Sequence, residues 1–149
     1  MRARPDPILL VEPNPDDVIL TVRAMRADGG DHKIMVLGDG EGLLARLLPT
    51  DGTSPLRPAI VLMDIHLPTM NGLAVLERIR ADRRTRDLPV IMLSTSCDEC
   101  DVVESYRLGA DDVVCKPVAY DDFARIIQAF SAYWTELDES RPTPEGAKP

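Results

Sequence analysis

The stretch Ala59-Ile60-Val61-Leu62-Met63, followed at once by Asp64, decides the fold of this chain. Five consecutive apolar residues, two of them β-branched, predict a strand that is buried on both faces, which is typical of a parallel sheet. The acid at the end of this run would lie at the sheet edge where parallel strands finish. The stretch therefore predicts an α/β domain with polar chemistry at one edge of its sheet.

Working outward, four more short apolar runs of β size flank this strand, and the segments between them have helical spacing. The predicted strands are Ile8–Val11, Ile34–Leu37, Ala59–Met63, Val90–Leu93 and Val113–Cys115. Capping residues begin four of the predicted helices, which run from Asn14 to Arg26, Asp39 to Leu48, Asn71 to Ala81 and Asp98 to Leu108; a fifth runs from Asp121 to Leu137. Alternation of strand and helix predicts a doubly wound α/β domain with right-handed crossovers.

Composition excludes several classes of function. The 149 residues carry 17 Lys and Arg against 25 Asp and Glu, a net charge of −8, and 44% of them are apolar. This is enough for one compact domain, but an acidic surface disfavours nucleic acid and anionic lipid. No apolar run approaches the roughly 20 residues that span a bilayer, and residues 1–12 lack the apolar segment of a signal peptide. We expect a cytoplasmic protein without nucleic-acid or membrane partners.

The three cysteines are expected to be reduced thiols, because their number is odd and no export signal is predicted. Cys97 and Cys100 form a Cys-x-x-Cys pair at a predicted helix start, which lowers thiol pKa values in redox proteins. The two acids between them oppose that effect, and no second close pair completes a zinc site. We interpret the pair as incidental.

Polar side chains follow four of the predicted strands. They are Glu12 after the first, Asp64 after the third, Ser94 after the fourth and Lys116, with Pro117, after the fifth. At one sheet edge, two carboxylates need a divalent cation or an ammonium group to remain ionised together. Such a carboxylate can attack phosphorus and form an acyl phosphate, with the cation, lysine and hydroxyl neutralising or binding the transferring oxygens.

These residues resemble the receiver domains of bacterial two-component response regulators. The resemblance rests on Glu12 after Ile8–Val11, on Met63 to Gly72, on Pro89 to Thr95 and on Lys116-Pro117-Val118. The family places its hydroxyl and its lysine 30 and 52 residues after the phosphoacceptor, and Ser94 and Lys116 stand at those distances from Asp64. The resemblance covers about residues 5–137, with 138–149 predicted to be a flexible C-terminal tail.

The resemblance implies a flavodoxin-like (βα)5 fold with a five-stranded parallel sheet in the order 2-1-3-4-5. It implies that Asp64 accepts a phosphoryl group from a sensor histidine kinase, with Ser94 as the switch hydroxyl and Lys116 as the phosphate-binding amine, in a domain without a turnover substrate. Glu12, Asp64 and the backbone carbonyl of His66 would bind Mg²⁺, and the Lys116–Pro117 peptide would be cis. The chain looks like the single-domain regulators that serve phytochrome-type kinases.

Two residues depart from the family pattern. Pro13 replaces the second acid of the pocket, which should weaken the Mg²⁺ site unless Asp16 or Asp17 substitutes for it. Val113 replaces an aromatic residue that rotates inward in many family members, so any conformational signal must depend on Ser94 and the adjacent backbone.

The fifth predicted helix carries an apolar stripe whose default role is core packing. Its last turns would extend beyond the sheet, so that Tyr133, Trp134 and Leu137 would be exposed. An exposed aromatic patch of this kind indicates a partner surface. We expect a homodimer formed through helices 4 and 5 and strand 5.

Other functions remain as alternatives. A degenerate receiver that never accepts phosphate and acts as a constitutive binding or dimerisation module is supported by Pro13 and Val113. An aspartate-nucleophile phosphatase would need an acid at the position of His66. A flavin-binding domain would need a hydroxyl-rich or glycine-rich loop after the first strand, where this chain has Pro13-Asn14-Pro15-Asp16-Asp17.

Overall fold

A computed structural model describes residues 7–27, 29 and 32–129 of the chain. Strands and helices alternate as the sequence predicts. The strands are β1 (Ile8–Val11), β2 (Ile34–Leu37), β3 (Ile60–Asp64), β4 (Val90–Ser94) and β5 (Asp112–Cys115), and the helices are α1 (Pro15–Met25), α2 (Gly40–Leu47), α3 (Gly72–Ala81) and α4 (Glu99–Arg107). Residues 120–129 form a further helix, α5.

The five strands form one parallel sheet in the order β2-β1-β3-β4-β5. This confirms the flavodoxin-like doubly wound fold and its strand order. Four strand limits differ from the predicted ones by one residue. Asp64 and Ser94 are the last residues of β3 and β4 rather than the first residues after them, β3 starts at Ile60 rather than Ala59, and β5 starts at Asp112 rather than Val113.

Alternate residues of each central strand face two separate cores, as the pleat of a strand requires. One face of the sheet packs against α2 and α3, whose buried apolar residues are Leu43, Leu44, Leu47, Val75, Leu76 and Ile79. The other face packs against α1 and α5, with Met25, Phe123 and Ile126 as buried contributors. Helices therefore cover both faces of the sheet, as predicted.

Four of the predicted helix caps are present. The side chains of Asn14, Asp39, Asn71 and Asp98 each accept a hydrogen bond from a backbone N–H in the first turn of the following helix. Such caps satisfy donors that have no partner within the helix. Each cap fixes where its helix starts, and hence how far the preceding loop reaches over the sheet edge.

Helix α4 packs differently from the others. Of its nine residues, all within the described part of the chain, Ser105 alone is buried, whereas Val103 and Tyr106 are 55% and 48% exposed. Apolar burial is the main source of helix stability in a folded domain. α4 is thus held by few apolar contacts.

The Arg80 guanidinium, at the end of α3, braces the sheet edge opposite to the strand carboxyl ends. It donates hydrogen bonds to the backbone carbonyls of Gly109 (2.9 Å) and Leu88 (2.7 Å) and to the carboxylate of Asp111 (3.0 Å). Asp111 in turn accepts a hydrogen bond from the backbone N–H of Val90. This network connects α3 to the turn that ends α4 and to the start of β4.

The cysteines correct one prediction. Cys97 and Cys115 form a disulfide with a Cα–Cα distance of 5.5 Å, and Cys100 is free and exposed. β4 and β5 are neighbours in the sheet with Ser94 opposite Cys115, so the loop after β4 brings Cys97 above the end of β5. The predicted state, three reduced thiols, was wrong for two of them, because spatial proximity here follows strand order rather than sequence.

Two predictions fall outside the described residues. They are the continuation of the fifth helix to Leu137, with its exposed Tyr133 and Trp134, and the flexible tail at 138–149. Within the described residues, no helix combines the length and apolarity that crossing a bilayer would require.

Candidate functional site

The carboxyl ends of four strands bring the predicted polar residues to one edge of the sheet. Glu12 directly follows β1, Asp64 ends β3, Ser94 ends β4, and Lys116 directly follows β5. In parallel sheets this edge, near the point where strand order reverses, is where ligands bind. Here β1 and β3 are the strands on either side of that reversal.

Lys116 is at the centre of the cluster. Its Nζ donates hydrogen bonds to Glu12 Oε1 at 2.8 Å, Asp17 Oδ2 at 2.8 Å and Asp64 Oδ2 at 2.9 Å. The side chains of Lys116, Glu12 and Asp64 are only 7%, 0% and 6% exposed. Charge-assisted hydrogen bonds of this kind are strong, and their strength rises where water is excluded. The single ammonium group of Lys116 thus holds three carboxylates within hydrogen-bond distance of its Nζ atom.

Burial and charge oppose each other in this cluster. Burial raises the pKa of Glu12, the nearby charge of Asp64 adds to this, and the hydrogen bonds from Lys116 and from the backbone of Asn14 offset only part of the increase. Burial by itself lowers the pKa of Lys116, but the hydrogen bonds to Asp17, Glu12 and Asp64 outweigh it and raise that pKa. The lysine is therefore a permanent cation, and ionisation of the buried Glu12 is disfavoured despite its contact with that cation.

Asp17 reaches the cluster because of the local structure of the loop after β1. Asn14 caps α1 by accepting hydrogen bonds from the backbone N–H groups of Asp16 (2.8 Å) and Asp17 (3.3 Å). The backbone N–H of Asn14 in turn donates to Glu12 Oε2 at 3.2 Å. This capped turn places Asp17 on the site side of the helix, while the neighbouring Asp16 is exposed. Pro13, which lies between, is exposed and brings no side-chain ligand.

The loop after β3 is shaped around Asp64. The backbone N–H of His66 donates to Asp64 Oδ1 at 3.0 Å, and that of Gly72 donates to the carbonyl of Ile65 at 2.7 Å. A Cβ on Gly72 would lie 2.3 Å from the carbonyl oxygen of Asp64, so this close turn requires glycine. The His66 ring is exposed, with Nε2 3.6 Å from Asp101 of α4.

Ser94 is completely buried, and its environment differs from that of the carboxylates. Its Oγ accepts a hydrogen bond from the backbone N–H of Cys97 at 2.9 Å, and its carbonyl accepts one from the backbone N–H of Lys116 at 2.9 Å. The Lys116–Pro117 peptide is cis, as the resemblance implied. The hydroxyl is thus tied to the β4–α4 loop and the lysine backbone to the end of β4.

The oxygen atoms of the cluster are of the chemical type that binds a divalent cation. Glu12, Asp17 and Asp64 supply hard carboxylate oxygens, which Mg²⁺ and Mn²⁺ prefer. With all three ionised, Lys116 compensates one of three negative charges. In the described residues the carboxylates converge on Nζ, and no group of three His, Cys, Asp or Glu side chains forms a ready cage for an ion.

Two departures from the sequence predictions concern residue roles. Asp17, expected only as a substitute for the acid absent at Pro13, lies as close to Lys116 as Glu12 does. The cysteine pair beside Ser94 and Lys116 was missed, and the signal that could have revealed it was the predicted adjacency of the fourth and fifth strands. Val113 is partly buried against the α2–α3 core.

Several known proteins are similar to this chain in sequence and in fold. Response regulator Rcp1 of Synechocystis is 33% identical over 135 residues, which cover 89% of this chain and 90% of Rcp1. The Mn²⁺-bound structure of Rcp1 has a TM-score of 0.69 at 31% identity and covers 89% of this chain and 96% of that one. The bacteriophytochrome response regulator RtBRR has a TM-score of 0.73 at 37% identity, covering 84% and 77%.

A phosphorylated cyanobacterial phytochrome response regulator, RcpA, has a TM-score of 0.69 at 28% identity, covering 90% of this chain and 96% of that one. The family model of the response regulator receiver domain matches residues 8–128, most of the chain and every strand described above. With the strand order and the Asp64–Lys116 edge, these matches show that the chain belongs to the response regulator receiver domain family of two-component systems.

Proposed function

We propose that this protein is a phosphoacceptor switch that receives a phosphoryl group on Asp64 from the phosphohistidine of a sensor histidine kinase. The observation that carries the proposal is the hydrogen bond from Lys116 Nζ to Asp64 Oδ2 at the sheet edge, inside a cluster of three carboxylates. A phosphorylated relative, RcpA, supports the same chemistry by similarity. The domain would signal through a changed surface and would not turn over a substrate.

In the proposed reaction, an oxygen of Asp64 attacks phosphorus, the P–N bond to the donor imidazole breaks, and its electron pair stays on the departing nitrogen. The product is an acyl phosphate on Asp64. Lys116, released from part of its carboxylate contacts, would neutralise one transferring oxygen, and the Ser94 hydroxyl would donate a hydrogen bond to another. Catalysis of this transfer is mostly positioning and charge neutralisation.

Mg²⁺ is the expected cofactor. Glu12 and Asp64 would hold it, with the His66 carbonyl and Asp17 as further oxygen ligands. Bound there, a divalent cation would neutralise charge on the phosphoryl oxygens. Asp17 would compensate for Pro13, because its carboxylate lies 2.8 Å from Lys116 Nζ, beside those of Glu12 and Asp64.

The decisive experiment is intact-protein mass spectrometry after incubation with a small-molecule phosphodonor, with and without Mg²⁺. We expect a phosphoryl gain that requires Mg²⁺, is labile to base and is absent from Asp64→Asn. Equal gain in Asp64→Asn would place the acceptor elsewhere. No gain in the unsubstituted protein would contradict the proposal.

The role of Asp17 has a matched control in the adjacent acid. Asp17→Asn should weaken Mg²⁺ affinity, followed by intrinsic fluorescence or calorimetry, while Asp16→Asn, on the exposed side of the same helical turn, should leave it unchanged. Asp64→Asn should weaken it further. If Asp17→Asn and Asp16→Asn bind Mg²⁺ equally well, Asp17 does not compensate for Pro13.

The alternative is a degenerate receiver that binds its partners without phosphorylation. One observation favours it, because Lys116 already pairs with three carboxylates and so stabilises the cluster without a metal. Pro13 and Val113 point the same way. Lack of both phosphoryl gain and Mg²⁺ binding, with a stable fold, is the result that this alternative predicts.

We also propose the partners and location. Similarity to RtBRR and RcpA supports a phytochrome-type kinase as the donor. Exposed Val103, Tyr106 and Tyr120 support a homodimer through α4, β5 and the fifth helix. Light scattering at tens of micromolar should give the dimer mass, and a monomer mass would reject this surface. The cytoplasm is the expected location, with no nucleic-acid or membrane partner.

A further inference from the structure

The Cys97–Cys115 disulfide connects the β4–α4 loop to the end of β5, on the side of the site where Ser94 lies. It closes a segment of 18 residues in sequence separation that contains α4 and most of β5. Cys115 is exposed and Cys97 is half-buried, so a reductant in solution can reach the bond. Exposed disulfides are the ones that exchange readily with external thiols.

Both cysteines are one backbone contact away from proposed site residues. The N–H of Cys97 donates to the Ser94 hydroxyl at 2.9 Å. Cys115 directly precedes Lys116, whose own N–H donates to the Ser94 carbonyl at 2.9 Å. A closed ring therefore runs from the Ser94 hydroxyl through Cys97 and the disulfide to Cys115, Lys116 and back to Ser94.

The disulfide also replaces packing that α4 lacks. Ser105 is the single buried residue of this helix. Cys97 itself has a φ of 52°, in the left-handed region that a residue with a Cβ seldom adopts. The disulfide and the Ser94 hydrogen bond hold this residue there, so opening the disulfide would allow the loop to relax and α4 to move.

We propose that Cys97 and Cys115 are a redox-controlled modification site that governs phosphoryl acceptance by the receiver. This inference rests on the proposed phosphorylation of Asp64. The disulfide holds the β4–α4 loop with the Ser94 hydroxyl bound to Cys97. The reduced pair releases the loop, which lets the hydroxyl reach the phosphoryl group.

The chemistry is thiol–disulfide exchange with a dithiol. One thiolate of the dithiol attacks a sulfur of the pair and forms a mixed disulfide, and its second thiolate displaces the protein sulfur. The dithiol leaves as a disulfide, and Cys97 and Cys115 gain two electrons and two protons as thiols. Cytosolic disulfides are mostly transient, catalytic or sensory ones, which fits a switch better than a permanent cross-link.

The test compares oxidised and dithiol-reduced protein in the mass-spectrometric phosphodonor assay. Alkylation first defines the two states, since one of the three cysteines should react in the oxidised protein and all three after reduction. Coupling between two sites typically amounts to about fivefold or more, and we expect the oxidised form to gain phosphoryl at least that much more slowly.

Two variants separate the cross-link from other effects of the reductant. The double variant Cys97→Ser, Cys115→Ser should gain phosphoryl at the rate of the reduced protein, with or without dithiol. Cys100→Ser, which removes the free exposed thiol, should retain the full difference between the two redox states.

Equal rates for the oxidised and reduced protein would overturn the redox inference and leave the proposed function intact. No phosphoryl gain in either form or in the double variant would overturn the proposed function and the redox inference with it. Three reactive thiols in protein kept under air, without reductant, would also overturn the redox inference, because no disulfide would then form.

Discussion

The two sides of the proposed phosphoryl site differ in how they are supported. On one side, Glu12 directly follows β1 and Asp64 ends β3, above a core in which α3 buries Val75, Leu76 and Ile79. On the other side, Ser94 contacts a loop that leads into α4, which buries only Ser105 among its described residues. Buried apolar area determines which elements open first. The carboxylates thus lie on a stable part of the domain, whereas the loop that contacts the buried Ser94 hydroxyl leads into a part that can open separately.

The largest expected effect on stability comes from comparing two side-chain truncations, one in α3 and one in α4. Leu76→Ala in α3 removes a fully buried side chain and should lower the free energy of unfolding by about 3 to 4 kcal/mol. Val103→Ala in α4 removes a side chain that is 55% exposed and should change it by less than about 0.5 kcal/mol. Urea unfolding measures both. Similar losses would show that α4 is as well packed as α3.

The disulfide should contribute somewhat less to the free energy of unfolding than the Leu76 side chain does. A cross-link closing a loop of this length stabilises a fold by about 2 to 3 kcal/mol, mainly by restricting the unfolded chain. Reduction should therefore lower the urea midpoint and speed amide hydrogen exchange in α4 more than in α3. Cys100→Ser should unfold like the unsubstituted protein. Uniform acceleration of exchange in both helices would contradict a separately opening α4.

The helix caps give a smaller, matched comparison. Asp39 caps α2 through Gly42 N–H at 2.6 Å, and Asp98 caps α4 through Asp101 N–H at 2.8 Å. Losing a cap typically costs about 1 kcal/mol, and we expect this global loss in Asp39→Ala. Asp98→Ala should show less than half of it, because its helix opens locally before the domain unfolds. Equal losses in urea unfolding would argue against that order.

The smallest expected effect is the pH dependence of stability that comes from Glu12, on the carboxylate side of the site. Burial raises the pKa of Glu12 above its ordinary value of 4.5, so the folded protein binds this proton more tightly than the unfolded chain. Its contribution to stability is complete below pH 4.5 and is lost as the pH rises through the raised pKa.

Glu12→Gln should therefore make the urea midpoint less dependent on pH above 4.5 than in the unsubstituted protein. Asp16→Asn, which removes an exposed carboxylate outside the lysine cluster, is the matched control for the loss of one negative charge. A slope that Glu12→Gln does not alter would mean that Glu12 ionises as readily in the folded state as in the unfolded one.

The sequence predicted the parts of this molecule that depend on local pattern. The limits of β1 and β2, the four helix caps and the strand-end positions of Glu12 and Lys116 all follow from apolar runs and from capping residues. The inclusion of Asp64 in β3 and of Ser94 in β4 was not predictable, because it depends on hydrogen bonds between strands, such as the one from Ile65 N–H to the Leu93 carbonyl.

Features that join distant segments were harder to predict. The sequence offered Asp16 and Asp17 as possible substitutes for the missing acid, and the turn built by Asn14 directs Asp17 to a lysine 99 residues away. The close spacing of Cys97 and Cys100 gave no indication of the disulfide, which joins Cys97 to Cys115 across the neighbouring ends of β4 and β5. Long-range pairing needs the strand order, which the local pattern alone does not contain.

The Arg80 network gives α4 the mechanics of a lever. The Arg80 guanidinium binds the turn at Gly109, where α4 ends, while the disulfide at Cys97 holds the loop where α4 begins. Once the disulfide is open, the Arg80 contact still holds the end of the helix that is far from Ser94. We expect α4 to pivot about Gly109, so that the largest displacement occurs beside the Ser94 hydroxyl and the smallest at the opposite edge of the sheet.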